Sequence, residues 1–327
     1  MGKGRRGCLI AAVILLLASL IPAYLGMKLR EDFTEQTAAE RWRGSSDARF
    51  GQVSCFLDES IGIPPEREYS IRDNLETALA GKTEERWLMA MSGSVNVTIA
   101  RDSAQLNVRG ISTNGSFSHF HPMQMVSGSW FAQDEMNRDG VVLDMQLAWK
   151  LFGGYDLQGM TVSLNGIPVQ IAGVARPPKS GVEQQVLGTT PTLWFSMDLM
   201  KRMGLEPKAT CIEAVLPDPV AGFALEQLKS AVGAAADSCA YVENTDRFSL
   251  LNSLEVFLHP DDRVMRTTRV TYPYWENAAR VAESRCGIYA AVMFLLLVFP
   301  ACVLLSWVYR GLAYIRRKGR ELLKRRK

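Results

Sequence analysis

Two uninterrupted apolar runs frame this chain, and between them apolar residues recur with helix and strand periods. Residues 8–27 read CLIAAVILLLASLIPAYLGM between Arg6 and Lys28, and residues 286–309 read CGIYAAVMFLLLVFPACVLLSWVY between Arg285 and Arg310. At about 1.5 Å per residue, each run is long enough to cross a bilayer as a helix. Pro22 and Pro300 lie inside the runs. Helices in lipid tolerate proline because neighbouring groups re-satisfy the freed carbonyls, so both helices are expected to bend rather than end. A charged start followed by an apolar run also fits a cleaved leader. The run is long for that, and no small-x-small site follows it, which favours an uncleaved anchor.

Residues 28–43 (KLREDFTEQTAAERWR) are polar, rich in helix formers and free of Gly and Pro, which predicts a stalk prolonging the first span. A strand is expected over 50–57 and a helix over 70–80, stopped by Gly81. Three short strands follow over 87–91, 95–100 and 105–111, separated by Ser92-Gly93 and Asp102-Ser103. A strand over 141–143, a helix over 144–151 and a hairpin pairing 161–164 with 169–174 come next. The Asn165-Gly166 turn between apolar runs is a strong hairpin signal. Residues 211–216, 221–232 and 240–242 read as strand, amphipathic helix and strand, and 274–285 (YWENAARVAESR) as a second helical stalk.

Charge sharpens the topology. The 327 residues carry a net charge of only +3, and their composition excludes a disordered polymer, a collagen-like fibre and a small disulfide scaffold. Residues 1–7 and 310–327 nevertheless hold twelve Lys and Arg against Glu321, a net of +11, which leaves −8 on the rest. By the positive-inside rule both termini are expected in the cytoplasm of a cell-membrane protein, with residues 28–285 extracytoplasmic. The expected organisation is an N-terminus (1–7), a span (8–27), a stalk (28–48), a core domain (49–262), a stalk (263–285), a span (286–309) and a basic tail (310–327).

The segment 125–177 is the most specific part of the chain. Its elements run Ser127-Gly128-Ser129-Trp130-Phe131, Val141-Val142-Leu143, Leu147-Ala148-Trp149-Lys150-Leu151-Phe152-Gly153, Gly159-Met160-Thr161-Val162 and Ile171-Ala172-Gly173-Val174. In order and spacing this resembles the extracytoplasmic core domain of MacB/FtsX-type ABC transporter permeases. The resemblance implies an α+β extracytoplasmic domain, with strand-helix-strand and hairpin parts, between two transmembrane α-helices. It also implies a role without chemistry of its own, in which the outer domain relays motion or binds partners. A separate ABC ATPase and a companion permease subunit would then be the expected partners, alongside membrane lipid and further copies in a homo- or hetero-oligomer. Members of this kind have four spans where two are read here, so a partial permease is expected; a stand-alone envelope scaffold, sensor or adhesion protein is the alternative.

Candidate chemistry is sparse. Gly81-Lys82-Thr83 imitates the end of a phosphate-binding loop, but Glu76 stands where its first Gly belongs. There is no GxSxG, SxxK, HExxH or CxxC pattern, so no enzyme, cofactor or nucleic-acid partner is expected. His119 and His121 would share one strand face and offer two metal ligands, against the plainer reading of polar packing. Cys211 and Cys239 open the two strands flanking one helix, and adjacent strands would allow a disulfide outside the cell. The tail residues Arg316, Arg317, Lys318, Arg320, Lys324, Arg325, Arg326 and Lys327 surround an apolar face of Leu312, Ile315, Leu322 and Leu323. They suit an anionic leaflet, a docked ATPase or a topology signal alone.

Overall fold

The computed structural model describes residues 3–81, 85–131, 140–178, 180–235, 238–260 and 270–325, with side chains from residue 5 to residue 318 within them. Lys82, Thr83, Arg326 and Lys327 and the first part of the expected second stalk lie outside the described residues, as do the side chains of Arg320, Lys324 and Arg325. Two compact units form: residues 1–31, 248–263 and 282–327, and residues 32–247 with 264–281.

The first unit holds the apolar runs. Helix α1 (Lys3–Asp32) continues through Pro22, and the final helix (Tyr274–Arg325) continues through Pro300. Ile14, Leu17, Ile21, Leu295, Leu304 and Leu305 are exposed, which suits lipid as solvent rather than water. A short helix over Leu250–Leu258, unanticipated from the sequence, starts where the Ser249 hydroxyl accepts from the Asn252 amide at 3.3 Å. It approaches the final helix so closely that a Cβ on Gly287 would stand 2.9 Å from the Ser253 carbonyl oxygen. Arg316, Arg317 and Lys318 are exposed on the final helix, with Lys318 Nζ 5.9 Å from the Tyr314 ring centre.

The second unit is one mixed sheet covered on both faces. In chain order its elements are α2 (Ala38–Arg43), β1 (Phe50–Leu57), α3 (Arg67–Leu79), β2 (Leu88–Arg101), β3 (Ala104–Gly115), α4 (Phe117–Phe120) and β4 (Met125–Gly128). They continue with β5 (Gly140–Asp144), α5 (Met145–Phe152), β6 (Thr161–Leu164), β7 (Ile167–Ala175), α6 (Gly181–Leu187), β8 (Thr192–Ser196) and α7 (Met197–Arg202). Last come β9 (Cys211–Pro217), α8 (Phe223–Val232) and β10 (Cys239–Glu243); the helices already given as Leu250–Leu258 and Tyr274–Arg325 are α9 and α10. The strands run β10-β1-β9-β2-β3-β8-β5-β7-β4, with β6 pairing β2 and β7. The β3–β8 and β5–β7 pairs are parallel and the others antiparallel.

The period-two alternation of strands sorts the core residue by residue. Val53, Cys55 and Leu57 of β1 join Ile212, Ala214 and Leu216 of β9 beneath α3 and α8. Val141, Leu143, Leu193 and Phe195 meet Leu147 of α5 and Leu199 of α7 on the same side. The residues between them, Phe56, Ala90, Val142, Trp194 and Val215, point the other way and pack with Ala38, Phe117, Phe120 and Trp275.

Two expectations about elements are corrected. Ser92-Gly93 does not divide two strands, because β2 runs unbroken through it. Gly93 serves a close approach instead: a Cβ there would stand 2.2 Å from the Lys208 carbonyl oxygen, and the Thr210 amide donates to the Ser92 carbonyl at 2.9 Å. The long β2 therefore serves both cores, with Met91 in one and Val97 and Ile99 in the other. Nor does the first stalk reach Arg43 as one helix. It ends at Asp32, Phe33 is buried, and a 3-10 turn over Thr34–Thr37 leads into α2. Gln52 holds this segment, accepting from the Ala38 amide at 2.9 Å and donating to the Glu35 carbonyl at 2.6 Å. The apolar Phe33, Ala38 and Ala39 have a core to enter, which outweighs helix propensity.

Candidate functional site

Within the α+β unit a cavity of about 680 Å³ opens among the 3-10 turn, α5, α6, β8 and the first residue of α10. Its size is that of a small-molecule site. Each wall is set by local sequence. Asp144 ends β5 and caps α5, accepting from the Leu147 amide at 2.6 Å and, through its second oxygen, from the Thr192 amide. Gly153 closes α5 in the left-handed conformation, φ 67°, and Trp149 stands exposed on the helix with Tyr155 5.8 Å away, ring to ring. Ser180 caps α6 by accepting from the Glu183 amide at 3.4 Å.

Glu183 is the unusual member. It is 1% exposed, lines the cavity, and its carboxyl has no hydrogen-bond partner among the described residues. Burial, reinforced by the nearby Glu35 carboxylate, pushes its pKa up to about 9. Glu35 also lines the cavity, with Oε2 buried and without a hydrogen-bond partner. Its pKa too is raised by burial, against the lowering pull of His121 and Arg41. Burial raises Asp144, although the Leu147, Thr192 and Gln146 amides and Lys150 favour the charged form. Trp194 Nε1 is a further buried polar atom without a partner, and burial pushes the Tyr274 phenol up. The cavity thus joins aromatic and aliphatic walls to two acid groups, Glu183 and Glu35, whose polar capacity the fold leaves partly unused, and to Asp144, which the backbone satisfies.

The histidines are brought near this region but not to one another's face. His119 lies in α4 and His121 is its C-cap, so the shared strand face expected from their spacing does not exist; Phe117 and Phe120 draw the segment into a helical turn by burying on the sheet. His121 Nε2 lies 2.6 Å from Glu213 Oε2, both buried, with the ring stacked on Phe117 at 4.4 Å. His119 instead meets the edge of Trp42 at 5.5 Å, and burial followed by Arg41 lowers its pKa. Among the described residues no three His, Cys, Asp or Glu side chains gather as a metal would require.

Cys211 and Cys239 do not sit on adjacent strands, which corrects the premise for a bond between them: β1 lies between, with Phe56 opposite Cys211 and Leu57 opposite Cys239. Two sheet spacings of about 4.8 Å exceed disulfide reach, and the two side chains point to opposite faces. All six cysteines are free. Sequence reasoning passed over Glu35, Glu183 and Tyr274; the one signal available was Ser180-x-x-Glu183, the spacing of a capping box.

Residues 29–231 match the family described as MacB-like periplasmic core domain. The chain belongs to this family. The match includes Glu35, His121, Glu183, Trp194 and Glu213, while Tyr274 lies beyond it. The α+β fold between two apolar helices is that of a MacB-like domain set in a membrane protein with an extracytoplasmic segment. Among solved structures, the extracellular domain of the ABC-type transporter YknZ from Gram-positive bacteria is similar at 14% identity and a TM-score of 0.42, covering 59% of this chain and 98% of that one. The periplasmic region of MacB from Actinobacillus actinomycetemcomitans is similar at 13% identity and a TM-score of 0.43, covering 59% and 89%. A comparison with curated protein sequences gave no match.

Proposed function

We propose that this protein is a membrane-anchored, non-catalytic subunit related to MacB-type permeases, which relays motion between a separate ABC ATPase and its extracytoplasmic domain. Both termini lie in the cytoplasm, and the basic tail, with Arg316, Arg317 and Lys318 at its start, faces the inner leaflet and the ATPase. A companion permease subunit completes the assembly.

The observation that carries this reading is how firmly the domain grips the helix that leaves it. In its first two turns α10 places Glu276 between Arg247 and Arg280, with Nη1 to Oε2 at 2.7 Å, Nη2 to Oε1 at 2.9 Å and Arg280 Nε to Oε1 at 2.7 Å, all buried. The Arg280 guanidinium also lies 4.0 Å from the Tyr272 ring centre. A bidentate buried pair fixes orientation as well as distance, so displacement of this helix displaces the domain with it. On the incoming side, Gln52 holds the chain that follows Asp32. Such clamps suit mechanical relay.

Gentle detergent extraction of the tagged full chain, followed by mass spectrometry, tests the assembly. Repeated recovery of an ABC ATPase is expected, and Arg316, Arg317 and Lys318 changed together to Ala should reduce it. Purification that returns the chain without any ATPase would overturn the relay and favour an envelope scaffold.

A further inference from the structure

We propose that the 680 Å³ cavity binds a small amphiphile with a protonated amine on an apolar body, using Glu183 and Glu35 as its counter-ions. The inference rests on the cavity alone and stands whether or not the protein works with an ATPase.

Three observations select this chemistry. Met123, Met145, Leu187 and the rings of Trp149, Tyr155 and Trp194 supply an apolar and aromatic lining, and aromatic faces attract ammonium groups through their quadrupoles. The ionisable interior groups that remain unused are acids, beside the neutral indole donor Trp194 Nε1: Glu183 is 1% exposed with no hydrogen bond to its carboxyl among the described residues, and Glu35 Oε2 is buried and unpartnered. Asp144, by contrast, spends both oxygens on the Leu147 and Thr192 amides and stays structural. The cations that line the cavity, Lys150 and Arg176, are both exposed. Water and salt weaken what an exposed cation offers an anionic guest, whereas a buried carboxylate interacts at low dielectric.

Capture of an ammonium group also has a proton signature. Glu183 is held neutral by burial up to about pH 9, with Glu35 facing it from the 3-10 turn. The charges of both acids act on Tyr274 of α10, as do Arg109 of β3 and Asp144 of β5; His121 acts on Glu35. Forming the ion pair ionises Glu183 and releases its proton, so affinity should rise by up to about tenfold per pH unit below that value.

The experiment is titration calorimetry of the full chain in zwitterionic lipid nanodiscs with phenylbutylamine, and with phenylbutanol and phenylbutyrate as neutral and anionic counterparts, against empty nanodiscs. One amine per chain is expected to bind, about tenfold or more tightly at pH 8 than at pH 6.5. Glu183→Gln should weaken the amine at least about tenfold at pH 8 and flatten that pH dependence while leaving the alcohol unchanged. Glu35→Gln, which acts from a different element, should weaken the amine in the same direction and serves where the first variant does not fold. Equal amine binding by the wild type and these variants, tighter binding of the acid than of the amine, or no saturable amine binding would overturn the proposal.

Discussion

At the scale of single residues, the domain carries two buried acids with opposite consequences. Burial disfavours an ionised Glu276, yet Arg247 and Arg280 outweigh it and hold its pKa below the ordinary value. A depressed folded-state pKa contributes stability that is present above the unfolded value of 4.5 and is lost as pH falls through the folded one. The stability that this network contributes is therefore expected to be lost as pH falls below about 4.5, and the decline should be less steep in Glu276→Gln. Glu276→Ala, which removes the carboxylate shared by two buried guanidiniums, should cost about 3 kcal/mol at neutral pH, read as a lowered melting temperature. Glu183 has the reverse sign. Its raised pKa means that the unfolded chain ionises first, so its contribution to stability declines as pH rises from 4.5 toward about 9. Glu183→Gln should accordingly stabilise the domain at pH 8 by roughly 1–3 kcal/mol and hardly at all at pH 4, measured by thermal unfolding at both. A side chain that weakens its own fold at working pH is the kind of residue retained for binding.

At the scale of elements, the clearest local signals produced the clearest structure. The Asn165-Gly166 turn adopts φ 47° and 84°, the left-handed pair that a two-residue hairpin needs, and joins β6 to β7. Asn165 also accepts from the Thr98 amide at 2.7 Å, which ties the turn to β2. Gly166→Ala should cost about 1 kcal/mol by forcing a Cβ into that conformation. Gly93→Ala should cost more, about 2–3 kcal/mol, because the obstacle is the Lys208 carbonyl and not a movable side chain. The contrast shows what was legible. Short apolar runs located β5 and β9, which are buried along nearly their whole length, while looser alternation located β1 and β7. A glycine wanted for close approach looks like a glycine wanted for a turn until the segment that approaches it, here residues 205–210, is in place. The same holds for β8, whose place as a strand depends on β3 and β5 beside it. The cavity was illegible for this reason: Glu35 and Glu183 are 148 positions apart, and only the sheet order brings their carboxyls within electrostatic reach.

At the scale of the whole molecule, the sorted charge makes a prediction about sidedness that does not depend on the fold. With +11 on residues 1–7 and 310–327 and −8 elsewhere, the cost of moving the ends across a membrane exceeds that of moving the middle. The natural thiols offer a reporter. Cys55 and Cys211 are buried, and burial pushes both thiols up, away from the reactive thiolate. Cys239 is partly exposed at the start of β10. In intact cells a membrane-impermeant maleimide should label Cys239 and leave Cys55 and Cys211 unmodified until the domain is denatured. A cysteine introduced at Tyr314, which is exposed on α10 beyond the second apolar run, should react only after the membrane is permeabilised. Labelling of the Tyr314→Cys site from outside, or protection of both sites, would reverse or abolish the assigned orientation. The relay from cytoplasmic ATPase to outer domain would fall with it, while the amine site could still be scored in nanodiscs that expose both faces. The two readings therefore answer to separate measurements, one of sidedness and partnership, the other of a carboxyl pair inside one domain.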